Sequence, residues 1–299
     1  MALQCEDIIN IYPFDVKEKL VKIFNSSDFA GMIVHDDVGE LVELLEISEE
    51  QLMQELVYIA QQYAIPPISN FRVGAVVRGE SGNFYFGANL EFPGETLAFT
   101  LHAEQAAIVN AMTHDERKIT TIATTYIPCC LCRQFMLELE SAERLKIVLP
   151  DIVYSLLNIV PHSFGPVDLK INVRLMQKMD NSLLKNGINY SNDELVLEAL
   201  SAANKSYAPY SKSYSGVALL TKDDRIFTGR YAENAAFNIS MNPMMAAISN
   251  LNMSNLNFKD ISRAVIVEPK NNTVSQIKSA GNLLYVVNPN VDLEIVKVN

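Results

Sequence analysis

The amino-acid sequence predicts an α/β protein built from two copies of one domain, which follow a small N-terminal helical extension. Strand patterns alternate with helix patterns in each half of the chain, as in layered α/β domains. One order of elements returns about 143 residues later, which indicates an internal duplication. At 299 residues the chain also exceeds the length at which a single hydrophobic core usually stops growing. We therefore divide it into an extension (1–47), a first domain (48–150), a linker (151–190) and a second domain (191–299).

A helix-start pattern separates the N-terminal extension from the first domain. Before it, apolar residues recur at helical spacing, as at Val16, Leu20 and Phe24. Ser48 and Gln51 then form a capping-box pattern, which is typical of a helix N-terminus. The helix should end before Pro66 and Pro67, because proline does not continue a helix.

The rest of the first domain alternates strands with helices. Turn residues at 80–82 separate its first two strands. The predicted elements are strands over 71–78 and 83–91, a helix over 103–112, a strand over 119–127, a helix after Cys129 and a strand over 145–149. Two helices are therefore expected to begin directly after extended segments, near His102 and near Cys129.

The second domain repeats this order. Ser191 and Glu194 form another capping-box pattern, and residues 242–248 parallel residues 102–108. By chance alone, two α/β domains would share the order of elements but hardly these local matches. The linker between the copies should be ordered around residues 164–166, which read Phe-Gly-Pro.

The charge and hydropathy of the chain disfavour several classes of partner. The formal net charge is −11, whereas affinity for a polynucleotide comes mainly from clustered lysine and arginine. No apolar run reaches the length of about 18 residues that a membrane-spanning helix needs. We therefore expect a cytoplasmic protein without a nucleic-acid or membrane partner. Cys129, Cys130 and Cys132 lie too close together for a disulfide framework and are typical of metal ligands or reactive thiols.

Four residues of the first domain form a pattern that carries chemistry: His102, Glu104, Cys129 and Cys132. Each alone has an ordinary alternative, since single histidines and cysteines are often packed core residues and a glutamate often lies solvated in a first helical turn. Together, one imidazole and two thiolates suit Zn²⁺ and leave its fourth position open, whereas a structural zinc site usually has four protein ligands. The positive ends of the two helix dipoles should favour the thiolate forms.

The second copy lacks the same group. It has Asn242 and Met244 in place of His102 and Glu104, and no cysteine follows Cys132. We therefore predict one zinc ion per chain and a second domain that keeps the fold without the chemistry.

His-x-Glu followed by Pro-Cys-x-x-Cys is the signature of zinc-dependent nucleobase deaminases. From Ser48 to the C-terminus the chain resembles the cytidine deaminases, specifically the bacterial two-domain homodimeric type. Further markers of this resemblance are residues 86–91 (Phe-Gly-Ala-Asn-Leu-Glu), 132–135 (Cys-Arg-Gln-Phe) and 164–166. The resemblance implies a three-layer α/β/α fold in both copies, and a homodimer whose active site lies near the interface.

The resemblance also implies roles for individual residues. His102, Cys129 and Cys132 match the zinc ligands, and Glu104 matches the catalytic proton shuttle. The substrate-binding positions are of two kinds, the ribose-binding pair Asn89 and Glu91, and the pocket residues Phe71, Ala103, Tyr126 and Phe164. Asn89 and Glu91 could instead be ordinary polar residues at a strand end, and Phe71 could be a core residue. Cys130 departs from the family, which usually has glycine there, and we expect it to be a spectator.

These parts predict the hydrolytic deamination of cytidine and deoxycytidine to uridine and deoxyuridine. Glu104 would take a proton from the attacking water, pass it to N3 of the pyrimidine as C4 is attacked, and then protonate the departing amino group. One alternative is a polynucleotide cytidine deaminase, which needs a basic channel and stacking aromatics. Another is a zinc-stabilised scaffold without catalysis.

Overall fold

Two β-sheets, one in each half of the chain, organise the protein. The structure is a computed structural model and describes residues 6–26, 29–183 and 192–298. The N-terminal sheet has the strand order β1-β3-β2-β4-β5-β6 and the C-terminal sheet has the order β10-β9-β7-β8. The strands of the first sheet are β1 (Met32–Ile33), β2 (Gly74–Gly79), β3 (Phe84–Ala88), β4 (Ile119–Thr124), β5 (Lys146–Leu149) and β6 (Ile152–Ser155). Those of the second sheet are β7 (Gly216–Thr221), β8 (Ile226–Arg230), β9 (Ile261–Pro269) and β10 (Leu293–Val298).

Ten helices of the described residues pack around these sheets. Those of the first half are α1 (Glu6–Ile9), α2 (Phe14–Phe24), α3 (His35–Leu45), α4 (Glu49–Ala60), α5 (Ala103–Thr113), α6 (Cys130–Met136) and α7 (Leu156–Ile159). Those of the second half are α8 (Glu194–Asn204), α9 (Pro243–Met253) and α10 (Ile277–Val287). The predicted capping box at the start of α4 is confirmed, because Ser48 Oγ accepts the Gln51 N–H and Gln51 Oε1 accepts the Ser48 N–H.

The first sheet is covered on both faces, as the alternation of its strands requires. Val76, Phe84 and Phe86 share a core with helices α2, α3 and α4, whereas Ala75 and Tyr85 face α5 on the other side. The sheet is mixed, since β2 runs antiparallel to β3 and β4, and β4 runs parallel to β5. The predicted α/β fold is therefore confirmed in the first half.

The two edge strands of this sheet come from segments that the sequence assigns elsewhere. β1 belongs to the extension predicted as helical, and it pairs antiparallel with β3. β6 and α7 lie in the predicted linker, and β6 pairs antiparallel with β5. The extension is thus not purely helical and the linker is not a plain connector, because both supply strands that cover sheet edges.

The second half repeats the arrangement with one sheet between α8 on one face and α9 with α10 on the other. Its first helix begins differently from the prediction. Asp193 is the N-cap of α8 and accepts the Leu195 N–H, so Glu194 occupies the first helical position and not the third. The predicted capping box at Glu194 is therefore wrong, and its other member, Ser191, lies outside the described residues.

The two halves pack through α5 and α9, whose apolar residues belong to one continuous core. Buried polar contacts cross the same boundary. Asn252 Nδ2 donates to the Tyr63 carbonyl at 2.8 Å, and Asn250 Nδ2 donates to Thr113 Oγ1 at the same distance. The duplicated domains therefore share a core. Among the described residues, no helix combines the length and the apolar character needed to cross a membrane.

Candidate active site

Two helix N-termini bring the predicted metal ligands together. His102 is the N-cap of α5, Cys129 is the N-cap of α6, and Cys132 lies in the first turn of α6. His102 Nδ1 lies 3.5 Å from Cys129 Sγ and 3.4 Å from Cys132 Sγ, and the two sulfur atoms are 3.7 Å apart. Of the described residues, only these form a group of histidine, cysteine or carboxylate ligands close enough to hold a metal ion.

The spacing of these atoms fits a tetrahedral zinc ion. With Zn–S distances of about 2.3 Å and a Zn–N distance of about 2.0–2.1 Å, tetrahedral angles place two sulfurs about 3.8 Å apart and sulfur and nitrogen about 3.5 Å apart. The measured separations agree with both values to about 0.1 Å. Cys130 is exposed and lies outside the group, as the spectator interpretation expects.

The protonation of the two cysteines is coupled. A hydrogen bond from the Cys132 thiol, assisted by His102, lowers the pKa of Cys129 to about 3. The hydrogen bond with Cys129, together with burial, raises the pKa of Cys132. The hydrogen bond with Cys129 also raises the pKa of His102. One thiolate is thus preformed, and a divalent cation between the two sulfurs would displace the remaining thiol proton.

Glu104 follows the histidine ligand by two positions in the first turn of α5. Its side chain is buried, with 5% of the residue exposed, and burial raises the pKa of the carboxyl group. A carboxyl group with a raised pKa holds a proton more readily than an ordinary glutamate, which suits it to both accepting and donating one. The arrangement therefore places a buried carboxyl group beside the metal-ligand atoms.

A cavity of about 260 Å³ opens onto this group. His102, Glu104 and Cys129 line one end of it, and Ala103 also contributes to its wall. At the mouth the rings of Phe71 and Tyr126 lie 4.9 Å apart. Both rings are half exposed, Phe71 at 50% and Tyr126 at 51%, so Phe71 is a cavity wall and not a core residue.

Asn89 also lines the cavity and holds the backbone of the adjacent segment. Its Oδ1 accepts the Val73 N–H at 2.8 Å, and its Nδ2 donates to the Phe71 carbonyl at 2.9 Å. These side-chain bonds take the place of strand pairing, which explains why β2 begins at Gly74 and not at Phe71 as predicted. An amide has two lone pairs and two N–H donors, so Asn89 keeps capacity for a ligand.

Glu91 lines the cavity beside Asn89 and fixes the loop before β2. Its Oε2 accepts the N–H groups of Ile68 and Ser69 at 2.8 and 2.9 Å, and its Oε1 accepts the Ser69 hydroxyl at 2.5 Å. Burial alone would raise the pKa of Glu91, but the hydrogen bonds from Ser69 and Ile68 lower it. The carboxylate therefore stays ionised, and about one of its roughly four acceptor positions remains for a ligand.

Sequence reasoning missed Ser69 and Thr100, which complete the polar wall of the cavity. The signal that could have found Ser69 is its position two residues after Pro67, in a turn that faces Glu91. Phe164 does not line the cavity. It is 48% exposed, and its carbonyl accepts a hydrogen bond from Gln134 of α6, so its substrate role stays a prediction.

The second half replaces the metal-ligand group with hydrogen bonds. Asn242 caps α9 where His102 caps α5, and its Oδ1 accepts the Met244 N–H at 2.8 Å. Its Nδ2 donates to Gln276 Oε1 at 3.2 Å and to Ser279 Oγ at 2.7 Å, at the start of α10. The two helix starts are thus joined by an amide and a hydroxyl, which supports the prediction of a metal-free second copy.

Comparisons with known proteins agree with this geometry. The family model described as the cytidine and deoxycytidylate deaminase zinc-binding region matches residues 47–148, and a second model of the same description matches residues 156–281. The cytidine deaminase of Photobacterium profundum is 41% identical over 297 residues, which is 99% of each chain. That of Photorhabdus laumondii is 43% identical over 273 residues, covering 91% of this chain and 92% of the relative.

Solved structures that resemble the chain include cytidine deaminase from Mycobacterium tuberculosis, with a TM-score of 0.36 and 27% identity over 38% of this chain and 96% of that one. The long matches to the bacterial relatives, which span nearly the whole chain, and the two family models together are decisive. The chain belongs to the cytidine deaminase family.

Proposed function

We propose that this protein hydrolyses cytidine and deoxycytidine to uridine and deoxyuridine, with release of ammonia. The observation that carries the proposal is the convergence on one cavity of a ligand group at zinc spacing and a buried glutamate. The relatives named cytidine deaminase, which match over nearly the whole chain, support the same activity.

His102, Cys129 and Cys132 would hold the zinc ion through the three atoms that lie within 4.8 Å of one another. When bound, zinc supplies a Lewis acid that activates water as a nucleophile. Two thiolates and a neutral imidazole offset the charge of a divalent ion, so water at such a site is less acidic than at a three-histidine site. The chain must therefore provide a base within reach, and Glu104 lies in the same cavity.

Glu104 would carry the protons of the reaction. Its carboxylate takes a proton from the attacking water as the oxygen bonds to C4, and it delivers that proton to N3 of the ring. The second water proton goes by the same carboxyl group to the amino group, and the C4–N bond breaks to release ammonia. Because the pKa of the buried Glu104 is raised, the group is suited to both directions of transfer.

Substrate recognition follows from the two ends of the cavity. The base would lie against Ala103 with Phe71 and Tyr126 at its face, and the sugar hydroxyls would meet Asn89 and Glu91. The loop bonds of Asn89 and Glu91 fix both side chains before a ligand arrives, so less ordering entropy is lost on binding. The net charge of −11 favours a free nucleoside over a polynucleotide substrate.

The proposal includes the homodimer expected from the family resemblance, with Phe164 approaching an active site near the interface. It also includes a role in pyrimidine salvage in the cytoplasm. The three neighbouring thiols support that compartment, since ligating cysteines persist under reducing conditions.

The experiment that tests the function follows the absorbance change as cytidine becomes uridine, with zinc content measured on the same samples. Glu104→Gln should retain zinc and lose roughly 10²–10⁴-fold or more in kcat, because the amide cannot transfer the protons. A matched control is Glu95→Gln. Glu95 lies in the segment between β3 and α5 and does not line the cavity. A Glu104→Gln enzyme that keeps about a tenth or more of wild-type kcat would contradict the proton-transfer role.

A further inference from the structure

The second half contains a cavity of its own. It has a volume of about 280 Å³, close to the 260 Å³ of the first cavity. Ser211, Glu233 and Ser240 line the second cavity. Asn242 and Met244, which stand in place of the metal ligand and the proton carrier, do not line it. A volume of this size in a domain without a metal group needs its own explanation.

Backbone pairing places the two cavities at equivalent positions of the duplicated fold. In the first half, Leu90 forms bridges with Ile65 and Leu101, and in the second half Ala232 forms the same bridges with Tyr207 and Met241. This register pairs four cavity-lining positions of the first half with four of the second. The pairs are Ser69 with Ser211, Asn89 with Tyr231, Glu91 with Glu233, and Thr100 with Ser240.

The carboxylate of Glu233 is held as the carboxylate of Glu91 is held. Its Oε2 accepts the N–H groups of Tyr210 and Ser211 at 2.8 and 3.1 Å, and its Oε1 accepts the Ser211 hydroxyl. In Glu91 the same three kinds of bond come from Ile68 and Ser69. The loop contacts occupy three of the roughly four acceptor positions of Glu233. The fourth faces the Tyr231 phenol, and only 3% of the residue is exposed.

The second cavity differs from the first at the position of Phe71. Ser213 occupies the position equivalent to Phe71, and its hydroxyl accepts the Val274 N–H at 3.0 Å. Val274 lines the second cavity, whereas His102, Glu104 and Cys129 line the first. The Tyr231 phenol, whose pKa is raised to about 12 mainly by burial, interacts with both Ser240 and Glu233. The sugar end of the first cavity is thus the part that the second half retains.

An aromatic pair stands at the mouth of the second cavity. The rings of Tyr210 and Phe237 lie 5.8 Å apart, and Phe237 is 66% exposed. The Tyr210 hydroxyl donates to the Glu138 carboxylate at 3.0 Å, which fixes that ring. A flat heterocycle can stack on such rings, and stacking accepts any base.

We propose that the C-terminal cavity binds a nucleoside without converting it, with the ribose at Glu233 and the base stacked outside on Tyr210 and Phe237. The inference rests on the proposed function, because it gives Glu233 the ribose contact proposed for Glu91. It adds a second ligand site per chain with a different specificity. Since the base meets only aromatic faces, purine nucleosides should bind there, although the first cavity is proposed to act on a pyrimidine.

The test uses the full-length zinc-loaded protein and radiolabelled adenosine in equilibrium dialysis. We expect one adenosine bound per chain. Phe237→Ala should weaken binding from about fivefold to about a hundredfold, the range expected for loss of one base-stacking contact. Because Phe237 is mostly exposed, this variant should fold even if Glu233→Gln, which loosens the loop, does not.

Glu233→Gln, if folded, should also weaken adenosine binding, whereas its matched counterpart Glu91→Gln should leave it unchanged. Ribose alone and adenine alone should each bind more weakly than adenosine, since each makes only part of the contacts.

Three results would overturn the inference: no saturable adenosine binding, binding that Phe237→Ala leaves unchanged, or binding that Glu91→Gln weakens. Cytidine turnover is measured on the same wild-type sample. Turnover without adenosine binding means that the second site is wrong and the proposed function stands. Adenosine binding that passes these variant tests without cytidine turnover means that the proposed function is wrong.

Discussion

Glu138 should stabilise the packing of the second half of the chain against the segment that follows α6, the helix that carries Cys132. It lies two residues after the end of α6, and none of its surface is exposed. Its carboxylate accepts the Tyr207 hydroxyl at 2.7 Å, the Tyr210 hydroxyl at 3.0 Å and the Ala235 N–H at 2.6 Å. All three donors belong to the second half, so Glu138→Ala removes a buried contact between the duplicated domains.

The expected loss of stability depends on which acceptors remain for these three donors in Glu138→Ala. The Ala235 N–H loses its acceptor inside the protein, whereas the Tyr207 hydroxyl still has the Val173 carbonyl at 3.3 Å and Tyr210 is partly accessible to water. A buried donor without a partner costs about 1–3 kcal/mol, and breaking a buried charged contact costs about 3–5 kcal/mol. We therefore expect a loss of roughly 2–5 kcal/mol in the free energy of unfolding, which for 299 residues corresponds to a fall of about 3–8 °C in Tm.

Differential scanning calorimetry of the zinc-loaded protein measures this effect. Glu138→Gln keeps one oxygen acceptor and should lose less stability than Glu138→Ala. The control is Glu143→Ala, which removes an exposed carboxylate nearby and should change the free energy of unfolding by no more than about 0.5 kcal/mol. If Glu138→Ala lowers Tm no further than Glu143→Ala, the carboxylate does not hold the two halves together.

Three further predictions concern the metal, the substrate and pH. Cys130→Ser should leave zinc content unchanged while Cys132→Ser loses zinc, as measured by metal analysis; depletion in the Cys130 variant would mean that the ligand assignment is wrong. Free cytosine should be a far poorer substrate than cytidine in kcat as well as KM, because the groups that bind the sugar are left unpaired, and similar kcat/KM values would argue against Asn89 and Glu91 as the ribose contacts. Burial raises the pKa of Glu138, although its contacts with Ala235, Tyr207, Tyr210 and Arg174 oppose this. The folded protein therefore binds this proton more tightly than the unfolded chain. The stability of the wild type relative to Glu138→Gln should fall as pH rises from the ordinary carboxyl range through the raised pKa. Denaturant unfolding at a series of pH values measures this difference, and the opposite trend would refute the assignment.

The sequence predicted the metal-ligand group because each of its parts is local. His102 and Cys129 each directly precede a helix, and Cys132 lies one turn beyond Cys129, so helical geometry alone sets where these atoms point. The capping box at Ser48 is local in the same way. Such features depend on residues three or four positions apart, which a pattern in the chain records directly.

The features that the sequence did not predict depend on residues far apart in the chain. β1 has two residues and becomes a strand only because β3 lies beside it. The contact between Glu138 and Tyr207 joins two halves of the chain, and no spacing rule links those positions. Strand β2 begins at Gly74, and not at Phe71 as predicted, because the Asn89 side chain makes the backbone hydrogen bonds that a strand partner would have made.

The duplicated carboxylate clamp separates two roles that a motif alone cannot separate. Glu91 could hold its loop, bind ribose or do both, and a sequence comparison would give the same residue in each case. Glu233 makes the same loop contacts in a domain without the metal group, so the loop contacts do not require catalysis. Ser211 belongs to this clamp, and Ser240 holds its own turn by accepting the Asn234 N–H and donating to the Phe237 carbonyl. Loop geometry does not require the exposed Phe237 ring beside the cavity, and stacking of a ligand is the physical use that this ring permits.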